Sequence, residues 1–563
     1  MLDARYPPSW ETWLQKWFPG LLVVALLVNA GALFIPILEP DGALYATIAR
    51  TIVEKGDYLN LWVNGTDWLD KPHFPFWMAA FSMRIFGINA FAYKLPALLF
   101  WGMGAWYTYK FVIKVYGARA IGQLAVLIYV SAAHLVISNN DVRAEPYLTG
   151  LVIGAVYHFH CASGKEPWLR HIMTGALLAA CAMMTKGPFV LVTIGAGFLL
   201  DWIIGRRWKQ FTHLKWYIAL LLIAVFILPE LYCLYIQFDS HPEKKIFDHT
   251  GVSGLKFFFW DSQFGRFLNT GPIRGEGDPF FYFHTLLWAF LPWSLLLYAA
   301  IIRQLKAIRE HHRPGELIAL GTSVLSFAMF SISKFQLPHY LNILFPFFSI
   351  LAADWLYRLR LKSTKRAIVI VQHVIVAILP LLLLVITWFY RFTGWPLIMA
   401  IIIITTILTW WIFRPKQTEA GVESAFGRSF ATAMLVYAFI NFLLYPAILQ
   451  YQAGTQAGEW LGISSPKAPV YMVHEWPINY SFEFYYPGLT SQVHRDSLTA
   501  LTQKGPIILF LPRSKTDSLL QTGKKIETLG SFSDFHISQL TGEFIDCRTR
   551  DAVVTPWSLV RLY

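Results

Sequence analysis

Long apolar stretches separated by short polar ones make up the first 450 residues, a pattern typical of a membrane protein with many spans. The first apolar run, from Phe18 to Leu38, follows Arg5 and Lys16 and has no small-residue cleavage site. It predicts an uncleaved first helix with a cytoplasmic N-terminus. Together with this helix, hydropathy predicts about thirteen spans. The others lie near Ala90–Val115, Ile121–Ser138, Pro146–Cys161, Ile172–Thr185, Pro188–Ile204, Trp216–Ile236, Phe280–Ile302, Leu317–Ile332, Pro338–Tyr357, Ala367–Tyr390, Trp395–Phe413 and Ser429–Gln450.

The short apolar segment Pro72–Phe86 is interpreted from the charges of the loops. If it is not counted as a span, the loops rich in Lys and Arg all face the cytoplasm, as the positive-inside rule requires. These loops contain Lys110, Lys114 and Arg119; Lys165 and Arg170; Arg206 to Lys215; Arg303 to Arg313; Arg358 to Arg366; and Arg414 and Lys416. We therefore predict that Pro72–Phe86 forms a helix in the outer membrane interface.

This topology leaves three longer polar stretches on the outer side: Glu39–Asn89, Asn139–Glu145 and Gln237–Pro279. Because the number of spans is odd, the C-terminus also lies outside. The composition becomes mixed and polar from about Tyr451, with strand-like runs at 468–473 and 506–512 and a Val-rich stretch near Ala552. We predict a transmembrane part over residues 1–450, with interfacial helices within 39–89 and an outer loop at 237–279. A small external α/β domain would follow over residues 451–563.

The composition agrees with a membrane protein. The chain of 563 residues is 56% hydrophobic and 14% charged, with a mean hydropathy of +0.46, which excludes an ordinary soluble protein and a disordered chain. Its net charge of +13 is attributed to cytoplasmic loops beside anionic lipid, because no Gly-rich loop or basic-aromatic array indicates nucleic acid. Four scattered cysteines provide neither a disulfide framework nor a thiolate metal site.

The outer stretch after the first span contains two groups of candidate functional residues. Asp41 begins an amphipathic helix, and Tyr45 lies four residues later on the same helix face. Further along, Asp70 and Lys71 stand side by side, where an ammonium group meets lipid phosphate at the headgroup level. The alternative for each group is an ordinary solvated helix end or charged turn.

Charged residues of four other outer segments complete the set. Glu145 opens a span and is favoured there by the helix dipole, and Lys186 lies at an outer turn. The long outer loop contains Arg266 and Arg274, and a short turn contains Lys334 and Tyr340. Lysines in such turns also snorkel without any function. The His and Asp residues of the long loop have no metal-ligand spacing, so no cofactor is predicted and a divalent metal is left as an alternative.

Carboxylates and cations that meet at one lipid-water boundary suit transfer of a sugar from a polyprenyl phosphate. The leaving phosphate needs Lys or Arg to stabilise its charge, and the acceptor hydroxyl needs a carboxylate to take its proton. Such a site needs no nucleotide-binding loop, and the sequence contains none.

The same residues resemble a family. The motifs are Pro-Asp at Asp41, an acidic-Lys-Pro triplet at Lys71, Glu145-Pro, Met-Thr-Lys-Gly at Lys186, Arg266-Phe, Leu-Pro-Trp at 291–293 and Lys-x-x-Leu-Pro-x-Tyr at 334–340. Their order over about Pro36 to Trp355 resembles GT-C glycosyltransferases of the protein O-mannosyltransferase superfamily, and most closely the bacterial aminoarabinose transferases that modify lipid A.

The resemblance implies a GT-C fold of about thirteen spans with interfacial helices and a periplasmic C-terminal domain. It implies transfer from an undecaprenyl-phosphate sugar on the outer side of the bacterial inner membrane. By motif position, Asp41 matches the family's catalytic carboxylate, and Lys71 and Arg266 match its lipid-phosphate binders; the Glu145 position is also acidic in the family.

The chain also departs from the family pattern. It has Asp41-Gly-Ala-Leu-Tyr45 where the family commonly has Asp-Glu-Thr-Arg-Tyr, and Asp70 where the family has Glu. Gln263 stands near a family histidine, which argues against a metal between the acidic and histidine positions. The changes around the donor pocket also leave the identity of the sugar open.

We predict a glycosyltransferase that uses a polyprenyl-phosphate sugar donor and acts on lipid A, another glycolipid, a glycan or a protein hydroxyl. In this hypothesis Asp41 orients or deprotonates the acceptor, Glu145 assists, and Lys71, Arg266 and Lys334 hold the phosphate. Tyr45, Asp70, Lys186, Arg274 and Tyr340 are the further donor-site candidates. The alternative from another class is a polyprenyl-lipid transporter or flippase, which would show charges at mid-membrane depth; a non-catalytic lipid-binding subunit is a third.

Overall fold

The computed structural model describes residues 8–164, 167–310, 316–359, 361–415, 421–464, 468–488, 490–521 and 524–563. Up to residue 451 the described chain is mainly helical. The helices are α1 (Pro8–Ala30), α2 (Asp41–Lys55), α3 (Phe74–Phe86), α4 (Ala90–Tyr116), α5 (Arg119–Val130), α6 (Ala133–Asn140), α7 (Glu145–Ala162), α8 (Trp168–Lys186), α9 (Phe189–Ile204), α10 (Leu214–Phe226), α11 (Leu228–Leu234), α12 (Gly254–Lys256), α13 (Arg266–Leu268), α14 (Phe281–Ala289), α15 (Ser294–Arg309), α16 (Leu317–Ile332), α17 (Phe345–Arg358), α18 (Lys362–Tyr390), α19 (Trp395–Ile412), α20 (Val422–Phe439) and α21 (Tyr445–Ile448).

Short irregular elements join these helices. Three π-helical stretches cover Tyr235–Asp239, Phe257–Gly265 and Ile440–Leu444, and four 3-10 turns cover Gly31–Phe34, Trp208–Thr212, Pro338–Leu344 and Leu449–Tyr451. Two small antiparallel hairpins lie in loops between the helices of the described chain: β1 (Trp62–Val63) with β2 (Thr66–Asp67), and β3 (Lys245–Ile246) with β4 (His249–Thr250).

Several helices have the length and apolar character of membrane spans. Within the described residues, six are long and apolar enough to cross a bilayer, and the bent pair α5 and α6, with an angle of 51° between its halves, brings the number to seven. Helices α9 and α16 are apolar but shorter. The protein is therefore a multi-pass membrane protein, and the count of about thirteen spans stays a prediction.

The structure changes three of the predicted helices. The first helix ends at Ala30, not near Leu38, and Pro36, which has no backbone N–H, lies in the extended chain that follows. The span predicted at Phe280–Ile302 is two helices, α14 and α15, interrupted at Pro292. The span at Ile121–Ser138 is also divided, because the N–H of Ala133 donates to the carbonyl of Leu291 outside its own helix.

Helix α3 covers the segment that was predicted not to span. It has 13 residues and is about 20 Å long at 1.5 Å per residue, whereas the hydrocarbon core is about 30 Å thick. It contacts both α2 and α4, so it lies against the helix that begins at Asp41.

The C-terminal residues form a mixed sheet with helices around it. The helices are α22 (Ala453–Ser464), α23 (Tyr480–Tyr485), α24 (Leu498–Thr502), α25 (Arg513–Gln521), α26 (Gly542–Ile545) and α27 (Arg550–Val553), with a 3-10 turn at Arg495–Ser497. The strands are β5 (Val470–Val473), β6 (Ser491–Val493), β7 (Ile507–Pro512), β8 (Ile526–Asp534) and β9 (Thr555–Leu562), in the order β6-β5-β7-β9-β8.

In this sheet, β5 pairs in parallel with β6 and β7, and β9 is antiparallel to β7 and β8. Ile508, Phe510 and Leu559 are buried against its helices. Strands β5 and β7 lie at the runs that the sequence indicates as strand-like, whereas the Val-rich stretch near Ala552 begins in α27 and β9 starts only at Thr555. The domain boundary at 450 and the side of the membrane on which this part lies stay predictions.

Candidate active site

A large cavity opens between α7, α8, α9, α16 and the loops on the same end of the helices. It contains about 1070 Å³ of space, part of it open to solvent. Its charged lining consists of Asp70, Lys71, Glu145, Lys186, Glu230 and Arg266. The rest of its lining is mainly aliphatic and aromatic, including Leu148, Phe189, Val190, Phe257, Phe258, Phe267, Phe330 and Phe335. The cavity therefore combines an apolar interior with a charged end.

Asp70, Lys71 and Arg266 form one ion-pair triad at the charged end. The Lys71 ammonium lies 2.7 Å from Oδ2 of Asp70, and the Arg266 guanidinium pairs with Oδ1. Burial alone raises the pKa of Asp70, but the two cations outweigh burial and hold that pKa below its usual value. Burial lowers the pKa of Lys71, opposed by Asp70. Two cations thus share one carboxylate.

Glu145 belongs to the same charged end of the cavity. It is the first residue of α7, buried, and its carboxylate pairs with the ammonium of Lys186. The ring of His339 is 3.8 Å from the same carboxylate oxygen. The Lys186 ammonium also lies 3.7 Å from the centre of the Tyr340 ring. Glu145 is therefore engaged by two neighbours, which favours a structural and electrostatic role over proton transfer.

The turn after Lys186 fits tightly against Gln263. Gly187 has φ +100°, and a Cβ there would lie 2.1 Å from Nε2 of Gln263. Gln263 in turn donates to the carbonyl of Lys186 at 3.3 Å and accepts from the N–H of Phe189 at 3.4 Å. Only glycine fits at this position, and Gln263 holds the Lys186 turn in place.

Asp41 forms a second charged group next to the triad. It is the first residue of α2, and its side chain is 37% exposed. Oδ2 of Asp41 lies 2.7 Å from Nη1 of Arg143, whose Nη2 lies 2.6 Å from Oδ2 of Asp141. Burial raises the pKa of Asp141, although Arg143 opposes it. Asp41 is thus the accessible carboxylate of this group, and Arg143 pairs with both Asp41 and Asp141.

A smaller cavity of about 300 Å³ connects the two groups. Lys71 lines both cavities, and Arg143, the partner of Asp41, lines the smaller one. Its other lining residues are Tyr45, Pro75, Phe76, Ala144, Tyr93, Tyr147 and Thr185. Lys71 and the arginine that holds Asp41 therefore border the same small cavity.

Most of the predicted site residues come together here. Asp41, Tyr45, Asp70, Lys71, Glu145, Lys186, Arg266 and Tyr340 line the two cavities or pair with residues that do. Lys334 and Arg274 do not: both side chains are exposed and neither lines a cavity. Lys334 contributes its backbone, since its N–H donates to the carbonyl of Phe267 at 3.1 Å. The backbone of the short turn thus supports the segment that contains Arg266, but the ammonium group of Lys334 does not line either cavity.

Sequence reasoning missed Arg143 and Glu230 as site residues. Arg143 lies in the charged run with Asp141 and Glu145, which was a usable signal. The sequence contains no such signal for Glu230, because this residue lies within an apolar run. It is fully buried, and its carboxylate accepts from the backbone N–H of His73 at 3.0 Å and lies 3.0 Å from Nδ1 of the same residue. This contact fixes the chain directly after Lys71.

Replacement of Glu230 by Leu is expected to lower the stability of the folded protein. It leaves the buried N–H of His73 without an acceptor, which costs about 1–3 kcal/mol. Thermal unfolding of the purified protein in detergent measures the effect. The matched control is Glu243→Leu, which removes the same kind of contact, 2.9 Å to His241, from an exposed position. Equal melting temperatures for the two variants would contradict a positioning role for Glu230.

The residues present do not fit a divalent metal at the position where the family has an acidic residue and a histidine. Asp70 is already shared by Lys71 and Arg266, and the amide of Gln263 is bonded to backbone groups. Among the described residues, no group of three or more His, Cys, Asp or Glu side chains has a metal-binding arrangement. No step is therefore assigned to a metal.

Comparison with known proteins extends these observations. A family model described as dolichyl-phosphate-mannose-protein mannosyltransferase matches residues 70–233. An uncharacterized protein of Aquifex aeolicus is 24% identical over 461 residues, 81% of this chain and 83% of that protein. The undecaprenyl phosphate-alpha-4-amino-4-deoxy-L-arabinose arabinosyl transferase 1 of Pseudomonas fluorescens is 25% identical over 350 residues, 60% of this chain and 57% of the transferase. This chain thus aligns with somewhat over half of that enzyme.

The fold is similar to solved structures over nearly the whole chain. The crystal structure of ArnT from Cupriavidus metallidurans bound to undecaprenyl phosphate superposes with a TM-score of 0.72 at 17% identity, covering 97% of this chain and 98% of ArnT. The apo state gives a TM-score of 0.71. The resemblance found in the motifs is confirmed by these matches, and the chain is a multi-pass membrane protein whose fold is similar to that of ArnT.

Proposed function

We propose that this protein is a membrane glycosyltransferase that transfers a sugar from a polyprenyl (undecaprenyl) phosphate donor to a hydroxyl acceptor at the outer face of the membrane. The observation that carries the proposal is the arrangement of two charged groups. The triad of Asp70, Lys71 and Arg266 lies at the charged end of a large apolar cavity. A small cavity lies between this triad and Arg143, which holds the accessible carboxylate of Asp41. The likeness to the arabinosyl transferases supports it.

The large cavity suits the donor lipid. Its aromatic and aliphatic walls provide an environment for isoprenoid units, and burial of apolar surface drives their binding. At the charged end, three cations face Asp70 and Glu145, and Glu230, the third carboxylate of the lining, is engaged by His73. Nε of Arg266 is buried and has no hydrogen-bond partner within the described part of the chain. It is a donor available to a phosphate oxygen.

Transfer then needs one proton acceptor and one stabilised leaving group. The acceptor hydroxyl loses its proton to Asp41 as its oxygen forms a bond to the anomeric carbon of the sugar. The bond from that carbon to the phosphate oxygen breaks, and the departing phosphate keeps the electron pair. Lys71 and Arg266 stabilise that charge. Arg143 holds Asp41 in place through their ion pair.

The finer topology is part of the proposal. About thirteen spans, a cytoplasmic N-terminus and a periplasmic C-terminal part over 451–563 put Asp41, Lys71 and Arg266 on the outer side of a bacterial inner membrane. The alternating positive loops support this orientation. Accessibility labelling of single cysteines placed in the 206–215 loop and at the exposed Ile463 would check it, since the two positions are expected on opposite sides.

The test of function is a transfer assay. The purified protein is incubated with radiolabelled undecaprenyl-phosphate sugars, including aminoarabinose, and with lipid A as acceptor. Labelled lipid A is expected with the wild-type protein. In parallel, mass spectrometry compares lipid A and surface glycoconjugates from wild-type and deletion strains, which identifies a glycan or protein acceptor if lipid A is unchanged. Movement of the donor lipid across vesicles without any sugar transfer would favour the transporter alternative.

A further inference from the structure

The chain that leads into Asp41 is held by the C-terminal part of the protein. The carbonyl oxygen of Ile37 accepts from Nε2 of Gln452 at 2.8 Å, and the N–H of Glu39 donates to Oε1 of the same side chain at 3.0 Å. The N–H of Ile37 donates to the hydroxyl of Tyr485 at 2.9 Å. Three hydrogen bonds from residues more than 400 positions away thus fix the backbone just before the carboxylate.

A second set of contacts comes from residues 480–488, here called the clasp. The N–H of Ser481 donates to the carboxylate of Glu39, and the hydroxyl of Thr47 donates to the carbonyl of Tyr480 at 3.2 Å. Residues 37–39 and helix α2 therefore contact the same short segment.

Arg50 completes the attachment of α2 to the clasp. Its side chain is 4% exposed and pairs with Glu54. Its guanidinium also donates to the backbone carbonyl oxygens of Glu483, Phe484, Tyr486 and Gly488. A lysine ammonium has three donors and no planar fork, so it cannot reproduce this set. Arg50 thus attaches α2, the helix that begins at Asp41, to the clasp.

The partner of Asp41 belongs to a different part of the molecule. Arg143 lies in the connection between α6 and α7, whereas Asp41 is the first residue of α2. None of the clasp residues, which are all described, lines either cavity. Glu483 of the clasp also accepts from the N–H of Asn64 at 3.3 Å, in the β1–β2 hairpin, whereas the hydroxyl of Tyr485 contacts residue 37. An effect of Tyr485 on the site therefore passes through the chain that enters α2.

We propose that the clasp and Gln452 position the Asp41 carboxylate for transfer, so that the C-terminal part acts as a support of the catalytic helix. This inference rests on the proposed function of Asp41. Its prediction is specific: loosening the clasp at Tyr485 slows the chemical step and leaves donor binding unchanged, because Lys71 and Arg266 are held by Asp70. Misplacement of a catalytic group by about 1 Å can cost on the order of a hundredfold in rate.

The first test is kinetic. Tyr485→Phe removes the acceptor for Ile37 and is expected to lower kcat about tenfold with less than about a twofold change in KM for the donor. Arg50→Lys is expected to act in the same direction. In an Asp41→Asn background, Tyr485→Phe should cause little further loss, because the clasp acts through that carboxylate. The same tenfold loss in both backgrounds, or an effect on KM alone, would overturn the proposal.

The matched control is Tyr563→Phe. The Tyr563 hydroxyl donates to Glu527 at 2.6 Å on the exposed strands, far in the chain from the clasp. Its removal is expected to leave both kinetic constants within about twofold of wild type. If wild-type protein transfers no sugar in this assay, the proposed function fails, and the clasp is judged by the second test.

The second test needs no substrate. Hydrogen–deuterium exchange of the full-length protein in detergent reports whether residues 36–47 are held by the clasp. Exchange in this segment is expected to be at least about tenfold faster in Tyr485→Phe than in wild type, and unchanged in Tyr563→Phe. Unchanged exchange in Tyr485→Phe would show that the clasp does not support the Asp41 segment, whatever reaction the protein catalyses.

Discussion

Replacement of Asp41 by Asn is expected to reduce sugar transfer by about 100- to 10,000-fold, the usual contribution of a general base. The amide has nearly the shape of the carboxylate, but it cannot take a proton from the acceptor hydroxyl. Because Asp41 is 37% exposed and pairs with Arg143 at the surface of the site, the variant is expected to fold. The measurement is transfer from a radiolabelled polyprenyl-phosphate sugar, with melting temperature as the check on folding.

The matched control for this variant is Asp248→Asn. Asp248 also pairs with a cation of its own loop, Lys245 at 3.2 Å, but its side chain is 92% exposed and lines neither cavity. It is expected to retain wild-type activity. Full activity of a folded Asp41→Asn protein would refute the role given to Asp41 and would direct the search for the base to Asp141.

Removal of either phosphate-binding cation should weaken binding of undecaprenyl phosphate. A hydrogen bond to a charged group contributes about 1.5–3 kcal/mol, which corresponds to about a 10- to 100-fold increase in Kd. Lys71→Ala and Arg266→Ala are each expected to fall in this range. The measurement is equilibrium binding of the lipid to the purified protein. Each variant also leaves Asp70 with one cation instead of two, which adds repulsion toward the phosphate.

Lys334→Ala tests whether phosphate binding depends on the position of a cation in the site or only on the total positive charge. It removes the same positive charge from the motif that the sequence also assigns to phosphate binding, but its side chain is exposed and lines neither cavity. Its Kd is expected to stay within about twofold of wild type, as for most surface substitutions. A loss equal to that of Lys71→Ala would mean that the phosphate lies nearer the short turn than the triad.

Local patterns predicted much of the architecture but not the helix breaks. Helices such as α16 and α19 agree closely with the hydropathy spans, because a run of apolar residues is both the signal and the physical cause of insertion. The break between α5 and α6 depends on a hydrogen bond to Leu291, about 160 residues away. No local pattern contains that bond, so the sequence predicted one continuous span there.

The residues of the candidate site were also predicted only in part from local patterns. Asp41, Lys71, Glu145 and Arg266 were predicted from charges at the ends of apolar runs and from motif order, since isolated charges at a membrane boundary are costly and conspicuous. Glu230 and Gln452 were not predicted, because an acid within an apolar run and a glutamine at its end have no local signature. These two side chains form hydrogen bonds to backbone groups of residues 37, 39 and 73, which are distant in the sequence.

By itself, the sequence determined that this is a membrane protein with many spans and that its informative charges lie at one face. Hydrophobic burial and the positive-inside rule act on local composition, so they can be evaluated without a fold. Only the tertiary structure decided which charges pair: that Asp70 is shared by Lys71 and Arg266, that Arg143 holds Asp41, and that Lys334 points elsewhere. Ion pairs and hydrogen bonds act within a few ångströms, and folding alone brings distant residues that close.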